Sequence, residues 1–155
     1  MRKTAPIFLL VTSMLFIQCR SGLVTMTNSC YNAIQQGEQA NKSGNYSNAL
    51  DLYNQVLDQC KAYDAKEKAY AGKAAALNGL QRYTEALDAA NQGLVINKSS
   101  VDNFFEKATA ELGLKKSADA KASFNSIIEL TQKNQNVKER ATIYAKMAEI
   151  DSKQG

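Results

Sequence analysis

The chain has 155 residues, the size of one domain, and its hydrophobic content of 45% is enough to build a core. It contains no histidine, which excludes Ser-His-Asp and Cys-His catalysis, His-ligated zinc and the usual near-neutral general base. A formal charge of +4 without a basic block gives no footing for nucleic acid.

Met1-Arg2-Lys3 is a basic start, followed by an apolar run from Pro6 to Ile17 and then Gln18-Cys19-Arg20. A run of about 12 residues is too short to anchor in a bilayer, which takes roughly 20. A basic start and a short apolar stretch instead form the pattern of a secretory signal peptide. No Ala-x-Ala site follows, and a lone Cys closes the run. The stretch Leu15-Phe16-Ile17-Gln18-Cys19 resembles a bacterial lipoprotein signal of the loose spirochaete kind, with Gln18 where Gly, Ala or Ser is usual. That resemblance implies cleavage of residues 1–18, acylation of Cys19 and a tether over 19–28. The mature charge is then +2, from 17 basic residues against 15 acidic. The alternatives are an ordinary signal peptide whose Cys19 is discarded, and an uncleaved anchor. Once acylated, a tether from Arg20 to Asn28 spans at most roughly 30 Å and keeps the folded part close to the membrane.

Beyond the tether, apolar residues recur at three and four spacing. Ala49-Leu50-Tyr53-Val56-Leu57 and Ala86-Leu87-Ala90-Leu94 each form one stripe. Ser99-Ser100 before Val101-Asp102 reads as an N-cap followed by an acid in the first turn. The pattern predicts helices over 29–43, 46–61, 64–79, 83–97, 101–114, 117–132 and 137–153.

The helices repeat. Gly44-Asn45-Tyr46-Ser47-Asn48-Ala49-Leu50 matches Leu80-Gln81-Arg82-Tyr83-Thr84-Glu85-Ala86-Leu87, and Lys115-Lys116-Ser117-Ala118-Asp119-Ala120-Lys121 is a weaker third copy. Small residues precede each copy (Gly37, Ala74, Ala108), and Tyr53, Ala90 and Phe124 follow. The step from Val56 to Ala74 is 18 residues, as is that from Ile127 to Ala145, whereas Gly93 to Ala108 is 15. The first and third junctions therefore carry an extra helical turn. These residues resemble the tetratricopeptide repeat (TPR) over about residues 30 to 134. The resemblance implies an all-α fold of helix-turn-helix repeats, stacked as a short right-handed solenoid over 29–153. The repeats fall at about 30–63, 67–100 and 101–134, with a capping helix at 137–153.

In such a stack Cys30 and Cys60 lie at ends that antiparallel helices bring together. They form either a disulfide closing a 31-residue loop or a pair of buried thiols. The first helix of each repeat lines a concave groove, the usual place for a partner peptide or helix. On this register the groove carries Tyr31, Ile34, Glu38, Lys42, Lys68, Asn78, Asp102, Phe105 and Glu106, with Tyr31, Ile34 and Phe105 as exposed apolar anchors. The Lys/Asn/Arg clamp with which some TPR domains hold a carboxylate is replaced here by Ile34, Glu38, Gly72, Asp102 and Glu106. Acids there repel a carboxylate and favour a neutral or basic segment with an apolar side chain or two. Tyr46, Tyr53, Tyr70 and Tyr83 read as core, Gly79 and Gly113 as helix ends, and Lys66-Glu67-Lys68 and Lys138-Glu139-Arg140 as solvated faces.

The expected function is a non-catalytic, membrane-tethered interaction scaffold of the bacterial envelope. It uses no metal or cofactor, does not bind nucleic acid, and exists as a monomer or weak dimer. Arg20-Ser21 after the acylated Cys favours the outer membrane, and assistance to outer-membrane or secretion machinery is the kind of task implied. The alternative is a surface-exposed lipoprotein that binds a host or extracellular ligand.

Overall fold

A computed structural model describes residues 26–132 and 137–152, which form seven helices and no strand. They are α1 (Asn28–Lys42), α2 (Tyr46–Gln59), α3 (Tyr63–Gly79), α4 (Tyr83–Ile96), α5 (Val101–Gly113), α6 (Ser117–Gln132) and α7 (Val137–Ser152). The signal segment and Cys19 lie outside the described residues. No helix among the described residues is long and apolar enough to cross a membrane.

Each helix starts and stops for a local reason. Thr27, Asn45 and Ser100 cap α1, α2 and α5, their side chains accepting from the N–H of Cys30, Asn48 and Asn103. Three-residue turns join α1 to α2, α3 to α4 and α5 to α6. Each is closed by the same bond from an N–H to the carbonyl five residues back: Asn45 to Ala40, Arg82 to Leu77 and Lys116 to Glu111. The middle residue of each turn is left-handed, Gly44 at φ 76° and Gln81 and Lys115 at φ 60°. Glycine takes that conformation freely, whereas the other two are strained. The extra turn expected at the first junction is present, since α3 has 17 residues and α5 has 13.

The helices pair as α1·α2, α3·α4 and α5·α6. α1, α3 and α5 lie side by side along one face, and α7 packs on α6. Size complementarity sets the spacing. The Tyr53 ring lies where a Cβ on either Gly37 or Gly72 would overlap it, so α2 sends one aromatic into the seam between α1 and α3. Gly79 and Gly113 repeat the device, giving way to the rings of Tyr46 and Tyr83; they are packing slots rather than features that only ease a helix end. Tyr53 is 1% exposed and Phe124 0%, at the centres of the first and last core clusters, whereas the middle cluster is Leu77 among alanines.

Two sequence expectations are corrected by this packing. Ile34 is 3% exposed and belongs to the core with Ala65 and Ala69, because those small residues let α3 close on α1. Glu67 is not part of a solvated face. It accepts from the Ser100 hydroxyl and from Asn103 Nδ2 at 3.3 Å, and Asn103 is wholly buried in the space left by Gly93.

The cysteine alternatives resolve to a bond: Cys30 and Cys60 are joined, with Cα atoms 6.1 Å apart. A loop of this length corresponds to about 3–4 kcal/mol on the chain-entropy estimate, so reduction should lower the urea midpoint by that equivalent. Gln81→Gly and Lys115→Gly should each raise stability by about 0.5–1 kcal/mol, because strain relief exceeds the added freedom of the unfolded chain. Gly44→Ala should lower it. Equilibrium denaturation of the three variants checks all of these signs.

Candidate functional site

The concave face formed by α1, α3 and α5 encloses a cavity of about 570 Å³. Its floor is low because α3 presents the small residues Ala71, Gly72 and Ala75 there, beside Lys68 and the end of the Tyr53 ring. Glu38, Asn41 and Lys42 of α1 make one wall, and Val101, Asp102, Phe105 and Glu106 of α5 the other. The apolar end is completed by Ile127 of α6 and by Thr142 and Ile143 of α7. Phe105 is held edge-on to Phe124 with ring centres 6.1 Å apart, and Lys146 Nζ lies 5.2 Å from its centroid.

Two asparagines tie the walls to the floor. Asn41 Nδ2 donates to the carbonyl of Gly72 at 2.9 Å, and Asn78 Nδ2 donates to the carbonyl of Glu106 at 3.0 Å and to its Oε2 at 2.9 Å. Each is the same link, from the end of one repeat's first helix to the middle of the next one's. With both amide groups spent on carbonyls, the Oδ1 atoms of Asn41 and Asn78 are buried without a hydrogen-bond donor.

Charge is perturbed at the centre of this face. Burial pushes the Glu106 carboxyl up to about 7; the Asn78 bond and Lys146 oppose that rise, and Asp102 adds to it. The Tyr53 hydroxyl is raised as well, by burial first and then by the Glu38 carboxylate, with Glu106 contributing, while Asn41 opposes. Both carboxylates therefore act on one phenol at the cavity floor. Glu111, whose carboxylate accepts from Ser123 Oγ at 2.7 Å, is also raised by burial, but it does not line the cavity.

Six of the nine expected groove residues come together here: Glu38, Lys42, Lys68, Asp102, Phe105 and Glu106. The structure does not bring the other three to the cavity. Tyr31 is 49% exposed at the start of α1, where its hydroxyl accepts from Gln35 Nε2 at 2.7 Å; Ile34 is core; and Asn78 is committed to Glu106. Tyr53 and the α7 residues Thr142 and Ile143 line the cavity without having been assigned to it from the sequence. For Tyr53 a signal existed in the spacing of Gly37 and Gly72; for α7 none did, because its approach depends on a tertiary angle.

Helix pairs closed by identical turns, with small residues receiving aromatics at matching positions, define the architecture. The fold is that of the tetratricopeptide repeat. No family model matches the sequence. The chain is 26% identical over 105 residues to the heat shock protein STI1 of Saccharomyces cerevisiae, a match covering 68% of this chain and 18% of that protein. It thus spans less than a fifth of the curated relative. Among solved structures, the first TPR of Spaghetti (RPAP3) bound to the HSP90 peptide SRMEEVD superposes with a TM-score of 0.69 at 20% identity, covering 86% of this chain and 98% of that one. PcrH in complex with the chaperone-binding region of PopD gives a TM-score of 0.71 at 17% identity, covering 84% and 97%.

Because the folded chain keeps a proton on Glu106 up to about pH 7 while an ordinary Glu loses it near 4.5, stability should fall as pH rises across that window. Glu106→Gln should flatten this part of the slope. Urea midpoints between pH 5 and pH 8 test the sign, with Glu111 supplying the residual slope.

Proposed function

We propose that the protein is a non-catalytic interaction scaffold that holds an extended or helical segment of a partner protein in its concave face. The observation that carries this reading is the open cavity of about 570 Å³, which joins an apolar end at Phe105 to a polar centre at Glu38 and Glu106. The superposable structures lend support, one being recorded with an HSP90 peptide and one with a segment of PopD. The signal-like start, ending at Cys19, supports a lipid anchor and a place in the bacterial envelope, with the outer membrane favoured by Arg20-Ser21. An accessory role in envelope assembly or secretion fits a tethered binding module of this size. The peptide in the RPAP3 structure ends in Glu-Glu-Val-Asp, and a groove walled by Glu38, Asp102 and Glu106 is poorly suited to an acidic tail of that kind.

Affinity capture from detergent-solubilised membranes tests the reading. Wild type should retain a specific envelope protein, Phe105→Ala should lose it at least tenfold while keeping its circular dichroism, and Tyr31→Ala, outside the cavity, should keep it. Equal recovery with Phe105→Ala would move the binding surface elsewhere. Cys19→Ala should shift the protein from the detergent phase to the aqueous phase on detergent partitioning. Retention in the detergent phase would remove the lipid anchor from the proposal.

A further inference from the structure

Resting on the concave-face reading, we propose that the cavity selects a partner segment carrying a basic side chain next to a bulky apolar one. The apolar group sits against Val101 and Phe105, backed by the buried Ile127 and Ile143, and the cation enters between Glu38 and Glu106.

Space, charge and hydrogen-bonding capacity agree on this occupant. Space exists at the centre because α3 contributes Ala71, Gly72 and Ala75, so a long side chain can lie across the floor between the α1 and α5 walls. The charges on the two walls converge, since Glu38 from α1 and Glu106 from α5 both act on the one Tyr53 hydroxyl between them. Glu38, Lys42 and Lys68 all line the cavity as exposed residues, so water screens the three alike. Glu106 is half-buried, where burial favours its protonated form and an entering cation would favour its carboxylate.

Hydrogen-bonding capacity is also left over in the α1 wall. The orientation of Asn41 is fixed by its Nδ2 bond to the Gly72 carbonyl, because a flipped amide would set oxygen against oxygen. Its Oδ1 is therefore left without a donor, buried in the α1 wall that also carries Glu38. A guanidinium brings five donors and an ammonium three, whereas a carboxylate partner brings none. The aromatic wall already holds a cation, as Lys146 of α7 lies over the Phe105 ring, and it is close enough to act on Glu106.

Three acetylated and amidated 12-residue peptides of Gly and Ser serve as probes, each with two Phe alternating with two residues X, where X is Arg, Gln or Glu. Binding is followed by chemical-shift changes of the ¹⁵N-labelled protein. The Arg peptide should bind at least tenfold more tightly than the Glu peptide, with the Gln peptide between them. Glu38→Gln combined with Glu106→Gln should make the Arg and Gln peptides equivalent. A Glu peptide that binds as well as the Arg peptide, or an Arg preference that survives the double variant, overturns the cation assignment. If all three bind alike and Phe105→Ala abolishes them, the concave-face reading stands without it. No shift with any peptide at millimolar concentration defeats both.

Discussion

Tyr53 crosses from α2 into the seam between α1 and α3 because Gly37 and Gly72 have no side chain to block it, and much of the molecule follows from that wedge. The ring fixes the separation of the two helices that form the first half of the concave face. Its hydroxyl end supplies the cavity floor, and its burial anchors the largest core cluster. A methyl group at either glycine would displace the ring, and with it the approach of α3 to α1. Large and small residues act here as one unit, so the packing of the first repeat and the shape of the cavity are not separable properties.

The later repeats use the same principle with different residues. Ala74 faces a core of alanines around Leu77, and Ala108 belongs to the cluster around Phe124. Polar links do the rest. Asn41 and Asn78 stitch successive first helices through backbone carbonyls, while Glu67, Ser100 and Asn103 form a second connection between α3 and α5. The result is a wall whose chemistry changes along its length, from Glu38 at one side to Phe105 and Ile143 at the other.

The helices were legible because 3.6-residue periodicity and capping residues are local properties. All fourteen helix ends fall within two residues of the expected positions. The repeat was legible from the Gly37, Ala74 and Ala108 series. Periodicity assigns a residue to a face but does not say how closely the neighbouring helix approaches. Periodicity therefore puts Ile34 in the groove, whereas the small residues of α3 cover it. Asn78 and Glu67 depart from their expected positions for a related reason. An amide or carboxylate looks solvated in sequence, and only the packed neighbour reveals that its hydrogen bonds are spent internally. The contribution of α7 to the cavity depends on how it packs against α6, which periodicity does not give.

The Cys30–Cys60 bond lies wholly within the first helix pair, so covalent reinforcement is confined to one end of a linear stack. In such a stack each pair borrows stability from its neighbours, and opening starts where that support is least. The apolar half of the cavity belongs to the unreinforced end, where α5, α6 and α7 meet. A segment seated there would bridge all three helices and act as a reversible clasp opposite the permanent one. Occupancy would then register as slower amide exchange in the last repeat, while the first repeat, already fastened, would scarcely change.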